Sequence, residues 1–143
     1  MPINGFTIGR DVSIAVNLPN GPVTFSNVTD FHAKQMSTGI ESKGIDGINR
    51  FGEIPSGWDG TIEIDRADAN MDIAFNYLEG LYYQGQNVPA SQITETIVEP
   101  SGGLTSWRYI GVAFKFDDHG NFKGDSKVTQ KLSWKCSQRI RVS

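Results

Sequence analysis

The sequence predicts a mostly β fold, and its composition and one long alternating pattern are the observations behind that prediction. Its 143 residues include 16 glycines, eight phenylalanines, four tyrosines and three tryptophans, which favours strands joined by turns. No long run rich in alanine or leucine indicates a helical bundle. Because a chain of this length can build one substantial core but not two, residues 1–143 are expected to form a single domain.

The alternating pattern occupies the end of the chain, from Lys127 to Val142. Successive side chains on a strand point to opposite faces, so the pattern predicts one long strand with a core face and a polar, basic face. The core face is expected to hold Val128, Leu132, Trp134, Cys136, Ile140 and Val142, covered by Phe75, Leu78 and Leu81 of a helix. Such a strand measures ~50 Å if straight, against ~37 Å for the diameter of a compact domain. It is therefore expected to bend, to break or to extend beyond the domain.

Two early strands are predicted at residues 12–18 and 28–37, joined as a hairpin through the turn at Asn20-Gly21. The next stretch, residues 39–60, is rich in glycine and shows no regular period, so it is expected to be a long loop. Loops of this length are uncommon in compact domains and are usually functional.

A strand at residues 61–65 leads into the only helix that the sequence predicts. On this strand, Glu63 and Asp65 share one face and form the best-placed carboxylate pair. The helix is expected to begin at Asp65 or Asp68 as the capping residue and to end at Gly85. Apolar residues at helical spacing form a stripe that is expected to pack on a sheet. The stripe consists of Met71, Ala74, Phe75, Leu78, Leu81 and Tyr82.

Two further strands are predicted at residues 92–99 and 104–116, and the second is apolar on both faces. One face is expected to carry Ile110, Val112, Phe114 and Phe116, and the other to carry Trp107, Tyr109 and Ala113. An antiparallel sheet exposed to water needs only one apolar face. The second apolar face therefore predicts a partner, either another sheet or another subunit.

The charge distribution argues against a general nucleic-acid-binding protein. The net charge is -3, from 13 basic and 16 acidic residues. The closing strand holds five of the basic residues and no acidic one, which leaves eight basic against 16 acidic residues, or -8, in the remainder. A nucleic-acid binder shows a basic domain rather than an acidic body with one basic stripe.

The sequence shows no pattern of export or membrane insertion. Its first residues lack a basic region followed by an apolar stretch, and no window is apolar enough to span a membrane. The single cysteine, Cys136, lies on the apolar face of the closing strand and is expected to be a packed thiol. Synthesis in the cytoplasm is therefore expected.

The residues that could carry chemistry do not form a known catalytic or ligand-binding pattern. Asp117, His119, Asn121 and Asp125 alternate in one loop but lack the spacing of a calcium-binding loop, so no metal is expected. His32, the other histidine, has no serine or cysteine at an informative spacing. No phosphate loop, dinucleotide fingerprint or zinc spacing is present. We expect neither enzymatic activity nor a cofactor.

Three segments of the chain share their order and character with a known family. They are GIDGINRFGEIPSGWDGTIEIDRADANMD, then a helix ending LYYQG, and then the segment from ITETIVEP to SQRIRV. In this arrangement the chain resembles bacteriophage tail tube proteins, in particular those of contractile-tailed phages. The general architecture is shared with type VI secretion tube proteins.

The resemblance implies an antiparallel β-sandwich or half-barrel with one flanking helix, completed into a ring by oligomerisation. Six copies are expected to form a ring, and rings to stack into a hollow tube through which DNA passes without specific binding. A tail sheath protein and baseplate or terminator proteins are the implied partners, and the virion tail is the implied location. Residues 39–60 are then expected to reach an adjacent subunit or the next ring, since ordering a long loop is costly unless contacts repay the entropy.

Aromatic and basic residues are expected at the subunit interfaces. They are Arg50, Phe51, Trp58, Trp107, Tyr109, Arg139 and Arg141. The basic stripe of the closing strand has two interpretations. It is a solvated face that keeps the chain soluble, or its Arg139 and Arg141 meet acidic residues of a neighbouring subunit and set the register between subunits. Glu63 and Asp65 are expected to form an acidic face at the lumen or at an interface.

One other class of function fits the same residues. Trp58, Trp107 and Tyr109 could form an aromatic platform in a monomeric β-sandwich that binds carbohydrate or protein. The two functions differ in the size of the particle in solution, because a binding module is a monomer of 15.7 kDa whereas a tube subunit forms rings or tubes.

Overall fold

A computed structural model of the chain describes residues 3–23, 25 and 28–142. The described residues are mostly β, in one antiparallel sheet with one α-helix, as predicted. The strands are β1 (Val12–Leu18), β2 (Gly21–Val23), β3 (Val28–Lys43), β4 (Asn49–Asp65), β5 (Ser91–Val98), β6 (Leu104–Asp118), β7 (Thr129–Cys136) and β8 (Gln138–Arg141). The helix is α1 (Asn70–Tyr83), and a short 3-10 turn, Gly9–Asp11, precedes β1. The spatial order is β2-β1-β5-β6-β7-β4-β3, with β8 paired to β6, and the sheet is not closed.

Strand β6 divides the sheet into two halves. Its first part, to Val112, pairs with β5, and its last part, from Ala113, pairs with β7. The two half-sheets curl over a common core, since Phe31 on β3 lies 6.1 Å from Tyr109 on β6 between ring centroids. Trp134 fills the centre, at 5.7 Å from the Phe31 ring and 4.9 Å from the Tyr109 ring. The result is an open half-barrel with an aromatic core.

A crease crosses three neighbouring strands where the two half-sheets meet. On β6 it falls at Gly111, which has a φ of +69° and a Cβ position that overlaps the Ser137 side chain. Ser137 separates β7 from β8 and donates its backbone N–H to the Ile110 carbonyl at 3.0 Å. On β4 the crease falls at Gly57, with a φ of +119° and a Cβ position that overlaps the Cys136 carbonyl. Only glycine adopts these conformations without strain.

The crease breaks the closing strand and reverses its faces. Of the three outcomes expected for this strand, the break is observed. Leu132, Trp134 and Cys136 are buried before it, as predicted. The predicted burial of Ile140 and Val142 is wrong, because they are 39% and 47% exposed beyond the crease. The residues that follow Ser137 have exchanged faces with those that precede it.

The predicted assignment of β6 residues to two opposite faces is also wrong near the crease. Tyr109 was expected to lie opposite Val112, yet both are buried in the core, at 1% exposure each. An extra residue on β6 between the pairs Ile93–Tyr109 and Ser91–Val112 accounts for this, because a bulge shifts the alternation by one position. Phe114 continues the core face on the other side of the crease.

Helix α1 begins at Asn70, whose N–H donates to the Asp68 carboxylate at 3.0 Å. Its predicted apolar stripe packs on the core at four positions, which are Met71, Ala74, Phe75 and Leu78. Phe75 stacks on Phe116 at 4.6 Å between centroids. Tyr82, expected in the stripe, is 70% exposed. Within the described residues, no helix is long and apolar enough to cross a membrane.

Two further expectations about early elements are corrected. Strand β1 spans the predicted residues, but the turn at Asn20-Gly21 joins it to β2, and β3 pairs with β4 instead. Residues 39–60 are not a long loop, because they form the distal part of a β3–β4 hairpin that turns at residues 44–48. The sequence there does not alternate between apolar and polar residues, because the distal hairpin buries neither of its faces.

Candidate assembly surfaces

The distal hairpin projects away from the rest of the subunit, and we call residues 37–55 the arm. Strand β4 pairs with β7 only from Trp58 to Asp65. Within the arm, each strand therefore pairs with the other alone, from Ser37 opposite Pro55 to Lys43 opposite Asn49. Seven residues on β3 give the arm a length of ~23 Å. An arm of this length can reach another molecule.

Hydrogen bonds within the turn fix the tip of the arm. The Gly44 N–H donates to the Ile48 carbonyl at 3.1 Å. The Asp46 carboxylate accepts the Ile48 N–H at 3.0 Å and pairs with Arg50 at 3.3 Å. The structure thus places Arg50, a predicted interface residue, in the turn's own ion pair. Ile45 projects fully into solvent between these contacts.

The arm exposes five large apolar side chains. They are Ile40, Ile45, Ile48, Phe51 and Ile54. Each costs free energy in water, at about 25 cal/mol for every Å² of apolar surface. Exposed apolar patches that gather in one segment mark interaction sites. Phe51 belongs to this exposed group, and its interface role stays a prediction.

A second predicted group, on the inside of the half-barrel, forms an aromatic clamp. The Arg139 guanidinium carbon lies 4.0 Å from the Trp58 ring centroid and 3.9 Å from the Trp107 ring centroid. Trp58 also meets Tyr109 edge to face at 6.1 Å. Cation–π contacts of this kind stabilise the pair by about 0.5 to 2 kcal/mol, more when water is excluded. The crease brings these four residues together from three strands.

Beside the clamp lies a half-buried carboxylate, Glu95, that sequence reasoning missed. The Tyr109 hydroxyl donates to Glu95 Oε1 at 3.4 Å. Burial raises the pKa of Glu95 above its usual value, against the hydrogen bond from Tyr109 and the charge of Arg139. Burial, followed by the Glu95 charge, raises the pKa of Tyr109 to about 12. Arg139 therefore compensates an internal negative charge.

This geometry occupies part of the aromatic platform of the binding-module alternative. A sugar or peptide needs an open ring face, but Arg139 occupies the facing sides of Trp58 and Trp107. Tyr109 is buried in the core.

Arg141, the other arginine predicted at an interface, lies on the exposed end of β8 opposite Trp107.

Glu63 and Asp65 lie on a face of mixed charge rather than on an acidic face. Glu63 is the register partner of Lys131 on β7. Asp65 pairs with Lys127 at 3.4 Å and accepts the Thr129 hydroxyl at 3.3 Å. The basic stripe of the closing strand thus finds carboxylates within its own subunit. The alternating pattern alone could not reveal them, because they belong to a strand 62 or more residues earlier.

Asp72, in the first turn of α1, ties the helix to two distant segments. Arg66 donates to Oδ2 at 3.1 and 3.2 Å, Gln130 donates to Oδ1 at 2.9 Å, and His119 Nδ1 lies 3.2 Å from Oδ1. Burial acts to raise the pKa of Asp72, but the hydrogen bonds from Arg66 and Gln130 outweigh it and the pKa is lowered. No group of potential metal ligands occurs among the described residues, and His119 serves this network instead.

An open apolar groove of about 480 Å³ lies between α1 and β6. Its walls include Phe75, Leu78 and Tyr82 from the helix, Val88 from the segment after it, and Phe114 from β6. Glu79 is its only charged lining residue. Sequence reasoning assigned the helical stripe wholly to the core, whereas its C-terminal half borders this groove.

The fold is that of tube and tube-terminating proteins of phage-like particles. The anti-feeding prophage cap, described as a tube terminating cap, superimposes with a TM-score of 0.62 at 11% identity over 100% of this chain and 95% of its own. A chain of the PVC sheath-tube complex of an extracellular contractile injection system gives 0.57 at 14% identity, over 91% of this chain and 88% of its own. The SPP1 tail tube gives 0.55 at 12% identity, over 94% and 78%. No family model matches the sequence, and no curated protein matches it.

Proposed function

We propose that this chain is a structural subunit of a phage-like tail tube, in which hexameric rings stack into a hollow tube that conducts DNA during infection. The observation that carries the proposal is the agreement of the whole chain with tube and terminator folds. The role is non-catalytic, and the working parts are the surfaces by which copies of the chain meet.

The open sheet supports closure by copies of the same chain. Among the described strands, β2 and β3 end the sheet, so each leaves one edge unpaired there. Free strand edges pair readily with other strands, and closure into a ring removes them. Rotation of identical subunits about one axis gives a ring, and stacking of rings gives a tube.

The arm supports contact between subunits or rings. It exposes apolar side chains at Ile45, Ile48 and Phe51, which the described part of the chain leaves uncovered. In the assembled tube these side chains are buried against a neighbour, which offsets the cost of exposing them.

The mixed charge of the sheet supports passage of DNA without specific binding. Lys127 and Lys131 lie beside Asp65 and Glu63, so these lysines are partly compensated and offer phosphate groups a weaker contact than free lysines would. We propose a tail sheath protein and baseplate or terminator proteins as further partners. The location is the virion tail, after synthesis in the host cytoplasm.

Particle size tests this proposal. The purified chain, concentrated and separated by size, is expected to elute as rings or longer assemblies rather than at the monomer mass of 15.7 kDa. A chain that remains monomeric at every concentration and salt condition contradicts the proposal.

A further inference from the structure

We propose that the arm tip of one copy inserts its two isoleucines, Ile45 and Ile48, into the groove between α1 and β6 of a second copy. This inference rests on the proposed function, and it names the surface that receives the arm. The groove is the one lined by Phe75, Leu78, Tyr82, Val88 and Phe114.

The tip presents exposed apolar side chains on a fixed turn, which suits insertion into an apolar groove. Ile45 is fully exposed and Ile48 is 54% exposed, at the end of a turn held by its own hydrogen bonds. A fixed turn presents these side chains with little further loss of conformational entropy, which favours binding. Among the described residues, the two strands of the arm pair only with each other, and no other element covers the tip.

The groove is the better match among the larger cavities of the subunit. It is lined mainly by apolar side chains, and Tyr82 and Val88 at its rim are exposed. A groove of similar size, about 460 Å³, on the mixed-charge face also has apolar walls, including Phe114 and Trp134, but it carries Lys34, Lys115 and Lys135 against one carboxylate, Asp59. Lys43, which would dock together with the isoleucines, meets an excess of like charge there. Glu79 in the apolar groove is complementary to Lys43 at the base of the turn.

The tip and the groove are different surfaces at separate positions on the subunit. The contact between two copies is therefore head to tail. Phe114 in the groove pairs with Trp134, which pairs with Gly60 on β4. Ile48 immediately precedes β4, and Gly60 lies twelve residues beyond it, a span of at most ~40 Å. A contact between two different surfaces of identical chains leaves one tip and one groove free at the two ends, so it either closes into a ring or propagates. We infer the propagating form, in which the contact stacks copies with a repeat of at most ~40 Å along the strand.

Disulfide trapping between two populations of the chain tests the inference. One population carries Ile45→Cys, and the other carries Tyr82→Cys or Val88→Cys, so a cross-link can form only between copies. These positions are exposed and the substitutions leave the core intact. Burial raises the pKa of the native Cys136 thiol, which keeps it unreactive. Leu104→Cys, equally exposed at the far end of β6, replaces the groove cysteine in the control.

Under mild oxidation, the Ile45→Cys population is expected to cross-link to either groove variant about tenfold more than to the Leu104→Cys control, because docking gives the two thiols a high effective concentration. Assemblies that form normally but cross-link no more than the control overturn the inference and leave the proposed function standing. Assemblies in which the groove is protected by a different protein also overturn it. Failure of the unmodified chain to assemble removes the proposed function, and the inference with it.

Discussion

Gly111 and Ser137 meet side by side at the crease, where the Ser137 side chain fills the space that a Cβ on Gly111 needs. Gly111 also has a φ of +69°, a conformation that other residues adopt only with strain. The contact lets two neighbouring strands reverse their faces at the same level. It therefore determines which residues of β6, β7 and β8 lie in the core.

Gly111→Ala is expected to destabilise the fold by ~2 to 4 kcal/mol, from backbone strain together with the steric overlap. Chemical denaturation measures the change. Gly124→Ala is the matched control, since its Cβ position is open and its φ is ordinary, and it should change the free energy of unfolding by less than ~0.5 kcal/mol. Equal stability of the two variants would show that the crease does not need glycine.

The crease also explains why sequence alternation predicted burial correctly for some residues of the closing strand and wrongly for others. Alternation correctly predicted a buried Leu132, Trp134 and Cys136, because those residues lie on one uninterrupted strand. It failed for Ile140, because the reversal depends on Gly111, which is remote in sequence. Sequence periodicity reports local structure, whereas a crease is set by several strands together.

The arm and the Asp72 network escaped sequence reasoning for two different reasons. Residues 39–60 carry no apolar period because neither face of the arm is buried in the subunit. Asp72 and Gln130 are 58 positions apart, and no local pattern links them. The glycine-rich composition and isolated isoleucines of the arm were nevertheless visible in the sequence, and they indicated a functional segment.

Trp134→Ala is expected to cost ~3 to 5 kcal/mol of stability, as for other large buried aromatic residues. Val142→Ala, at a position that alternation alone would also bury, should cost less than ~1 kcal/mol because Val142 is exposed beyond the crease. Thermal unfolding of both variants checks the assignment. A Trp134→Ala protein with the melting temperature of the parent would contradict it.

Arg139→Ala is expected to lower stability by ~1 to 3 kcal/mol, because it removes two cation–π contacts and leaves the half-buried Glu95 without its nearby positive charge. Lys34→Ala, at an exposed position on β3, should have an effect below ~0.5 kcal/mol. Denaturation curves of the two variants give the comparison. The reverse order of effects would show that Arg139 does not act inside the subunit.

Asp72 gives a pH dependence with a defined sign. Its folded pKa is lowered from its ordinary value near ~3.9. The ionised carboxylate therefore stabilises the fold above that value, and this contribution is lost as the pH falls through the lower, folded pKa. Parent stability should fall more steeply below about pH 4 than that of Asp72→Asn, which lacks the titrating group. Parallel stability curves over pH 2 to 5 would contradict the network.

Replacing Ile45 and Ile48 together by glutamate should leave the subunit folded, with a change in stability within ~0.5 kcal/mol, because both side chains are exposed. Assembly should be lost, since the tip could no longer enter an apolar surface. Leu104→Glu is the control, as an equally exposed apolar position outside the arm. Electron microscopy and size separation provide the readout. Normal assembly of the double variant would show that the arm tip is not needed for assembly.

We propose that this chain builds a tube from copies of itself. Electron microscopy of the concentrated, purified chain distinguishes rings, tubes and isolated subunits. We expect hexameric rings that stack into hollow tubes, with a repeat between rings of at most ~40 Å along the strand direction. A field of separate 15.7 kDa particles under every condition that keeps the chain folded would contradict it.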